Sequence, residues 1–185
     1  PGESAHVTSG SIIRNSCVQW GCKVTTGAVV DESVLTEHSH AERHAKVTHS
    51  IIGPNSAIGE GEITSCLVGP FVASHHQSLL IAALWPEGKG NVAHGSNIGS
   101  NHTSRAPDQE IWCGEGTFFG LGVNIKFPCD FTESPYSIIA TGSDTLPPQR
   151  VEFPFSLIHH PPEWPQDAPP AYNEILPGWV LSDNM

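Results

Sequence analysis

Hydrophobic and polar positions in the first seventy residues repeat with a period of 17. Residues 11–27, 28–44 and 45–61, written one above another, place small and branched residues in matching columns. The matching columns are Ile13/Val30/Val47, Ser16/Ser33/Ser50, Cys17/Val34/Ile51, Val18/Leu35/Ile52 and Val24/Ala41/Ile58. Such a fixed period is typical of a stacked β-solenoid, because each coil buries its apolar columns only against the coils above and below it.

Within a coil, the predicted inward positions lie six residues apart, as in Ile52 and Ile58. The stretch IGPNSAIG at residues 52–59 resembles the hexapeptide repeat of the left-handed parallel β-helix superfamily, in which three hexads make one triangular coil. Its Gly and Asn residues suit corners, where tight turns often need a positive φ. The resemblance covers roughly residues 11–145 and implies an all-β fold, a left-handed parallel β-helix. The handedness rests on the resemblance and not on the period.

Two interruptions and a change of composition divide the chain. We expect the β-helix to occupy residues 1–145, with loop insertions at 79–90 and 101–111 where the period breaks. Residues 146–185 contain nine prolines and no repeat. Because proline has no amide donor for a ladder, we expect this segment to leave the helix, wrap over the coils and cap the open end. A monomer would expose the apolar 79–90 loop, and the superfamily resemblance also favours a homotrimer.

The net charge limits which partners the protein can bind, and the cysteine content bears on its cellular compartment. The formal net charge is −11, with four lysines and four arginines, which argues against nucleic acid or an anionic membrane surface as a partner. The longest apolar run, at 79–85, is too short to span a bilayer. Five cysteines without a CxxC pair do not indicate a disulfide framework. We place Cys17 in an inward column as a buried reduced thiol, which predicts a cytoplasmic protein.

The second half carries motifs that point to a reaction. The order NIGSN at 97–101, CGEGTFFG at 113–120 and IIATGSDT at 138–145 resembles the acetyltransferase half of the bifunctional N-acetylglucosamine-1-phosphate uridylyltransferase/glucosamine-1-phosphate acetyltransferase. The resemblance implies acyl transfer, most simply acetyl transfer, from acetyl-CoA or another acyl-CoA to a sugar-like or nucleotide-sugar acceptor.

The same resemblance suggests which residues take part. A histidine about one coil before the NIG turn is that family's general base, and His76, with its neighbour His75, lies at this place. Histidine suits the role because its unperturbed pKa is near neutrality. The remaining polar residues of the motif and the following loop are candidates for substrate binding: Asn97, Asn101, His102, Arg105 and Asp108.

Some positions depart from the family pattern. Thr64 or Ser65 lies where the family has a lysine, and Leu79 lies where it has a tyrosine. The phosphosugar contacts of the family are therefore not all present, and few basic residues are available for coenzyme A phosphates. Residues 60–185 are more closely similar to an uncharacterised bacterial hexapeptide-repeat family, which implies no activity.

Two further functions stay open. The chain has eleven histidines, and His76 and His94 are 18 residues apart, close to one coil. The gamma-class carbonic anhydrases share the predicted fold and hold zinc with three neutral imidazoles, so an alternative is a zinc site of His76, His94 and His102. The other alternative is a non-catalytic scaffold, in which the histidines are solvated corner residues and Arg105 and Asp108 form an ion pair within their loop.

Overall fold

A computed structural model describes residues 4–99, 110–144, 148–169 and 172–183. These ranges form a parallel β-solenoid of about eight coils. Each complete coil contributes one short strand to each of three sheets, so the sheets form the three faces of a prism. The predicted all-β parallel β-helix is confirmed.

The three sheets, named A, B and C, have the following strands. Sheet A contains β1 (His6–Val7), β4 (Lys23–Val24), β7 (His40–Glu42), β10 (Ala57–Gly59), β13 (Ala73–Ser74), β16 (Asn91–Val92), β19 (Phe118–Phe119), β22 (Ile138–Ile139), β24 (Leu157–His159) and β25 (Glu174–Leu176). Sheet B contains β2 (Ile12–Arg14), β5 (Val29–Asp31), β8 (Lys46–Thr48), β11 (Glu62–Thr64), β14 (Leu79–Ile81), β17 (Asn97–Ile98) and β20 (Asn124–Ile125). Sheet C contains β3 (Cys17–Val18), β6 (Val34–Leu35), β9 (Ile51–Ile52), β12 (Leu67–Val68), β15 (Ala83–Trp85), β18 (Ile111–Trp112), β21 (Cys129–Asp130) and β23 (Gln149–Arg150).

The core is a set of apolar columns that run along the prism axis. Val24, Ala41 and Ile58 are fully buried and follow one another in sheet A, as the sequence period predicted. The column containing Cys17 and Ile51, which we expected to point inward, points outward instead: Cys17 is exposed and Ile51 is 47% exposed. Successive side chains on a strand point to opposite faces, so the adjacent column faces the core.

The serine side chains that repeat in one column stabilise the corner between sheets B and C. The amide of Ser33 donates to Oγ of Ser16, and the amide of Ser50 donates to Oγ of Ser33, each over 3.0 Å. The amide of Cys66 then donates to Oγ of Ser50 over 3.0 Å. Each side chain therefore accepts a backbone donor of the next coil that would otherwise be buried without a partner.

The predicted loop insertion at 79–90 is wrong. Strand β14 pairs with β11 and strand β15 pairs with β12, both in parallel register. Leu80 and Trp85, which we expected in an exposed loop, are fully buried. Gly90 lies against the indole of Trp85, where an added Cβ would approach its ring to 2.0 Å, so glycine leaves the room that the large side chain needs.

The parallel ladders also continue past the boundary that we expected at residue 145. Strand β23 pairs with β21 and β24 pairs with β22, both in parallel. Pro148 and Pro154 lie outside these strands, so the ladders do not need their missing donors. Most of the other predicted insertion, 101–111, falls outside the described residues; its last residue, Ile111, begins β18.

The C-terminal segment closes part of the last coil. Strand β25 pairs antiparallel with β24 at the edge of sheet A. The short helix α1 (Trp179–Asp183) follows, and the amide of Val180 donates to the carbonyl oxygen of Phe155 over 3.0 Å. In the described ranges, no helix has the length and apolar character required to cross a bilayer.

Candidate functional site

The corner between sheets A and B carries a cluster of ionisable side chains. His44, Glu60 and His76 lie on this corner in successive coils, and each has a positive φ. His75 directly follows β13 at the same corner. At this corner, the tight turn between the two sheets directs polar side chains toward solvent. The inward-facing residues on either side of the turn belong to the core. We call His44, Glu60, His75, His76 and His94 the histidine ridge.

His76 and Glu60 form the closest ionic contact of the histidine ridge. Nδ1 of His76 lies 2.9 Å from Oε2 of Glu60, and the imidazole is 52% exposed. An ionised carboxylate can only accept hydrogen bonds, so Nδ1–H of His76 donates, and the neutral form of the ring has its lone pair on Nε2. The hydrogen bond from His76 lowers the pKa of Glu60 below its ordinary value. The carboxylate therefore stays ionised at neutral pH and orients the ring.

Arg43 and two more histidines surround this pair. Nε of Arg43 lies 3.6 Å from Oε1 of Glu60, so the carboxylate has a cation on its other side. The ring centroid of His76 is 6.0 Å from that of His75 and 6.4 Å from that of His94. The 18-residue spacing of His76 and His94 thus corresponds to one coil with no insertion between them. The structure therefore brings together three of the histidines selected from the sequence.

An open groove of about 280 Å³ begins beside the His76–Glu60 pair. Glu60 belongs to both the pair and the groove, and Gln77 directly follows His76. The lining combines polar, charged and apolar surface and consists of His44, Lys46, Glu60, Gly61, Glu62, Gln77, Ser78 and Leu79. Nζ of Lys46 lies 3.7 Å from Oε2 of Glu62. A concave surface with several hydrogen-bonding groups suits a polar ligand of the size of a sugar.

Asn97 lies one coil beyond the groove and not against His76. It pairs with Leu79 in sheet B, and Leu79 lines the groove. Its Nδ2 donates to Oδ1 of Asn124 over 3.2 Å. The side chain of Asn97 is thus hydrogen-bonded to the next coil. This contact fits a structural role between coils, and it also allows a contact with a substrate long enough to reach this coil.

The remaining predicted site residues cannot be placed. Asn101, His102, Arg105 and Asp108 lie outside the described residues. The same holds for one ligand of the alternative zinc site, since that site combines His76 and His94 with His102. Among the residues that the structure describes, no group of three or more His, Cys, Asp or Glu side chains is arranged to hold a metal ion.

Sequence reasoning missed Glu60, the residue that orients His76. A usable signal was present, because Glu60 and His76 are 16 residues apart and the coil that joins them is one residue shorter than the 17-residue period. Strand β10 pairs Ala57 with Ala73 at this same 16-residue step. A carboxylate in the preceding coil at the same corner is thus within reach of the histidine.

Comparison with known proteins assigns a family. A family model described as "Domain of unknown function (DUF4954)" matches residues 3–110, more than half of the chain. The chain belongs to this family. The DUF4954 protein is also similar to an "Uncharacterized protein" of Treponema pallidum (strain Nichols), with 31% identity over 156 residues. That match covers 84% of this chain and 21% of the relative, so the chain spans about one fifth of the relative's length.

Proposed function

We propose that this DUF4954 protein transfers an acyl group, acetyl in the simplest case, from a coenzyme A thioester to an amino or hydroxyl group of a sugar-like or nucleotide-sugar acceptor. The observation that carries the proposal is the 2.9 Å contact between Nδ1 of His76 and Oε2 of Glu60, beside an open groove. With Nδ1 protonated, Nε2 of the neutral ring offers the lone pair that a general base requires.

In the proposed reaction, the acceptor nitrogen or oxygen attacks the thioester carbonyl carbon. The new C–N or C–O bond forms, the C–S bond breaks, and the acceptor proton moves to Nε2 of His76. The imidazolium then gives this proton to the departing thiolate, so the histidine returns to its neutral state. No covalent enzyme intermediate is required, and Glu60 acts as a positioning residue that stabilises the transient positive charge on the ring.

The groove supports a polar acceptor. Glu62 and Gln77 can exchange hydrogen bonds with sugar hydroxyl groups, and the carboxylates of the groove can also accept hydrogen bonds from an amino group of the acceptor. Further contacts from Asn97, Asn101, His102, Arg105 and Asp108 remain part of the proposal and rest on the family resemblance. A reducing compartment, the cytoplasm, is also proposed, and it is supported by five cysteines that form no disulfide.

The test compares two histidine variants of similar environment. Release of coenzyme A thiol from acetyl-CoA is measured with a panel of amino-sugar and nucleotide-sugar acceptors. We expect His76→Ala to lower the rate by about two to four orders of magnitude, the usual range for a positioned base. His49→Ala is the matched control, because its imidazole is also paired with a carboxylate, that of Glu32 at 2.7 Å, but lies on a different corner.

Each alternative function predicts a different outcome. If chelators abolish activity and His76→Ala lowers the zinc content, the zinc-enzyme alternative replaces the proposal. If no acceptor in the panel supports thioester turnover, the non-catalytic scaffold replaces it. Equal effects of His76→Ala and His49→Ala would show that the His76–Glu60 pair has no special role.

A further inference from the structure

A second cavity, of about 330 Å³, lies beside the last three strands of sheet C. Strands β18, β21 and β23 pair in register, so the residues that precede them, Glu110, Pro128 and Pro148, follow one another along the prism axis. The outward residues Trp112 and Asp130 belong to the neighbouring column and also line the cavity. Alternation along each strand directs both columns to the outside. The cavity therefore lies between these two columns.

The walls of this cavity are largely apolar. Trp112 is 42% exposed, and the rings of Pro128 and Pro148 contribute further apolar surface. Burial raises the pKa of the Cys129 thiol, which also lines the cavity, to about 12. At neutral pH this thiol is uncharged and acts as a small apolar group. The indole of Trp112 presents the negative face of an aromatic ring, which attracts cations.

Two carboxylates complete the walls, and they have few cationic partners. Oδ1 of Asp130 accepts hydrogen bonds from the amide and the hydroxyl of Thr132, over 3.0 and 2.6 Å, so this carboxylate is held in place. Its Oδ2 lies 3.9 Å from Nε of Arg150, but that nitrogen is closer to Glu152, at 3.2 Å. Glu110 forms no ion pair with any residue that the structure describes. The described walls thus carry an excess of negative charge.

A molecule that enters the cavity displaces water from both carboxylates. The loss of hydration costs free energy unless the occupant supplies a compensating charge. An anion would add repulsion, and an uncharged apolar molecule would leave the carboxylates uncompensated. A cation with an apolar body meets both conditions, because it offsets the negative charge and packs against the indole and proline rings.

We propose that this cavity binds a small organic ammonium ion. Its nitrogen lies near the carboxylates of Glu110 and Asp130, and its alkyl part packs against the indole of Trp112. The site is separate from the groove beside His76, since none of the described residues lines both. It can therefore be tested independently of the proposed acyl transfer.

The first experiment separates the effect of charge from that of shape. Isothermal titration calorimetry measures the binding of choline, of n-butylammonium and of 3,3-dimethyl-1-butanol, which has the branched shape of choline without its charge. We expect both ammonium ions to bind with dissociation constants below about 1 mM, and the alcohol to bind about tenfold or more weakly. Either order of the two ammonium ions supports the site. Tighter binding of choline indicates a methylated ligand, and tighter binding of n-butylammonium a primary amine that donates hydrogen bonds to the carboxylates.

The second experiment locates the site. We expect Asp130→Asn to weaken the binding of both ammonium ions about tenfold, whereas Glu133→Gln, which removes an exposed carboxylate outside the cavity, should have little effect. Trp112→Leu should weaken binding about fivefold or more, and Trp112→Phe, which keeps an aromatic face, should weaken it less. Trp20→Leu is the control for the loss of an indole, because Trp20 is 50% exposed and lies outside the cavity.

Several outcomes would overturn the proposal. These are binding of the alcohol as tight as that of choline, equal effects of Asp130→Asn and Glu133→Gln, or no binding of either ammonium ion below about 10 mM. Thermal melts show whether each variant is folded. Glu110→Gln is a second carboxylate variant, and it should weaken binding in the same direction, so the test does not depend on the folding of one variant.

Discussion

Nε1 of Trp85 donates a hydrogen bond to the carbonyl oxygen of Gly114 over 2.9 Å in the fully buried interior of the solenoid. The indole also meets the ring of Phe119 edge to face, with centroids 5.8 Å apart. A tryptophan is thus accommodated in a column that otherwise holds smaller side chains, because glycine leaves room beside the ring and a backbone carbonyl accepts its polar hydrogen. This contact joins two coils and makes Trp85 a structural residue.

Replacing this indole by a phenyl ring tests how much the buried side chain and its hydrogen bond contribute to stability. We expect Trp85→Phe to lower the free energy of unfolding by about 1–3 kcal/mol, since it removes the indole hydrogen bond and part of the buried ring, although the Gly114 carbonyl still accepts from the hydroxyl of Thr117 over 2.9 Å. Trp20→Phe is the control, because Trp20 is 50% exposed and should change stability by less than about 0.5 kcal/mol. Urea denaturation measures both, and equal losses would contradict the assigned role.

Neighbouring valines of one strand test the inward column. Val30 is fully buried, whereas Val29 precedes it in β5 and points outward. We expect Val30→Asp to lower the free energy of unfolding by about 3–5 kcal/mol, because it places an unpaired charge in a dry core. Val29→Asp should lower the free energy of unfolding much less, because this side chain points outward. Thermal melts followed by circular dichroism give the comparison, and a native melting temperature for Val30→Asp would refute the assignment of the core.

The cysteines predict a pattern of thiol reactivity. Cys17 is exposed and the other four thiols are buried. Burial raises the pKa of Cys66 and of Cys129 to about 12 and that of Cys113 well above its ordinary value. At neutral pH we therefore expect one of five thiols to react rapidly with a disulfide reagent in the native protein, and all five after denaturation. Rapid reaction of two or more native thiols would contradict the described burial.

The same thiols predict a loss of stability at alkaline pH. A raised pKa in the folded state means that the proton stabilises the folded protein fully below the unfolded-state pKa of 9.0, and that this contribution is lost as pH rises toward 12. Each of Cys66 and Cys129 should lower the free energy of unfolding by about 1.4 kcal/mol per pH unit in this window. Cys66→Ser should fold, because serine continues the column of Ser16, Ser33 and Ser50. It should also reduce the decrease of the free energy of unfolding with rising pH, as measured by denaturation at pH 8, 9.5 and 10.5.

Glu60→Gln tests the positioning role in the proposed reaction. We expect kcat to fall about tenfold or more with a smaller change in KM, since the amide cannot stabilise an imidazolium as a carboxylate does. Glu32→Gln, which alters the partner of His49, is the control. The lowered pKa of Glu60 means that its contribution is present above its ordinary pKa and is lost only as pH falls through the lowered value. A pH–rate profile that Glu60→Gln leaves unchanged would argue against this role.

Leu80 and Trp85 are buried within the coil, so they cannot form the trimer contact expected of the 79–90 loop. The predicted homotrimer therefore needs a different surface. The outer face of sheet C carries a continuous apolar column of Cys17, Val34, Ile51, Leu67, Leu84 and Trp112. We expect a trimer to cover this column, so that Leu67→Glu lowers the mass measured by light scattering. Leu121→Glu, at an exposed corner residue, should leave the mass unchanged. A wild-type protein of monomer mass at micromolar concentration would contradict the trimer.

The architecture was accessible from the sequence because stacking repeats the same environment in every coil. Val30 and Val47 occupy equivalent sites, so their shared column already indicates parallel ladders and a common core. The column of Ser16, Ser33 and Ser50 was likewise visible in the sequence, and the structure shows that its members form a repeated hydrogen bond. His75, His76 and His94 were also selected from the sequence, and the structure places them at one corner.

Tertiary structure decided which of two adjacent columns faces the core, and where the coils change length. A period of 17 does not distinguish Cys17 from Val18, because alternation along a strand allows either to point inward until the closed prism selects one. Steps of 16 and 18 residues, from Glu60 to His76 and from His76 to His94, hide the repeat in a one-dimensional comparison. The sheets tolerate these steps because the extra or missing residue is absorbed at a corner, while the hydrogen bonds between strands keep the side chains in register.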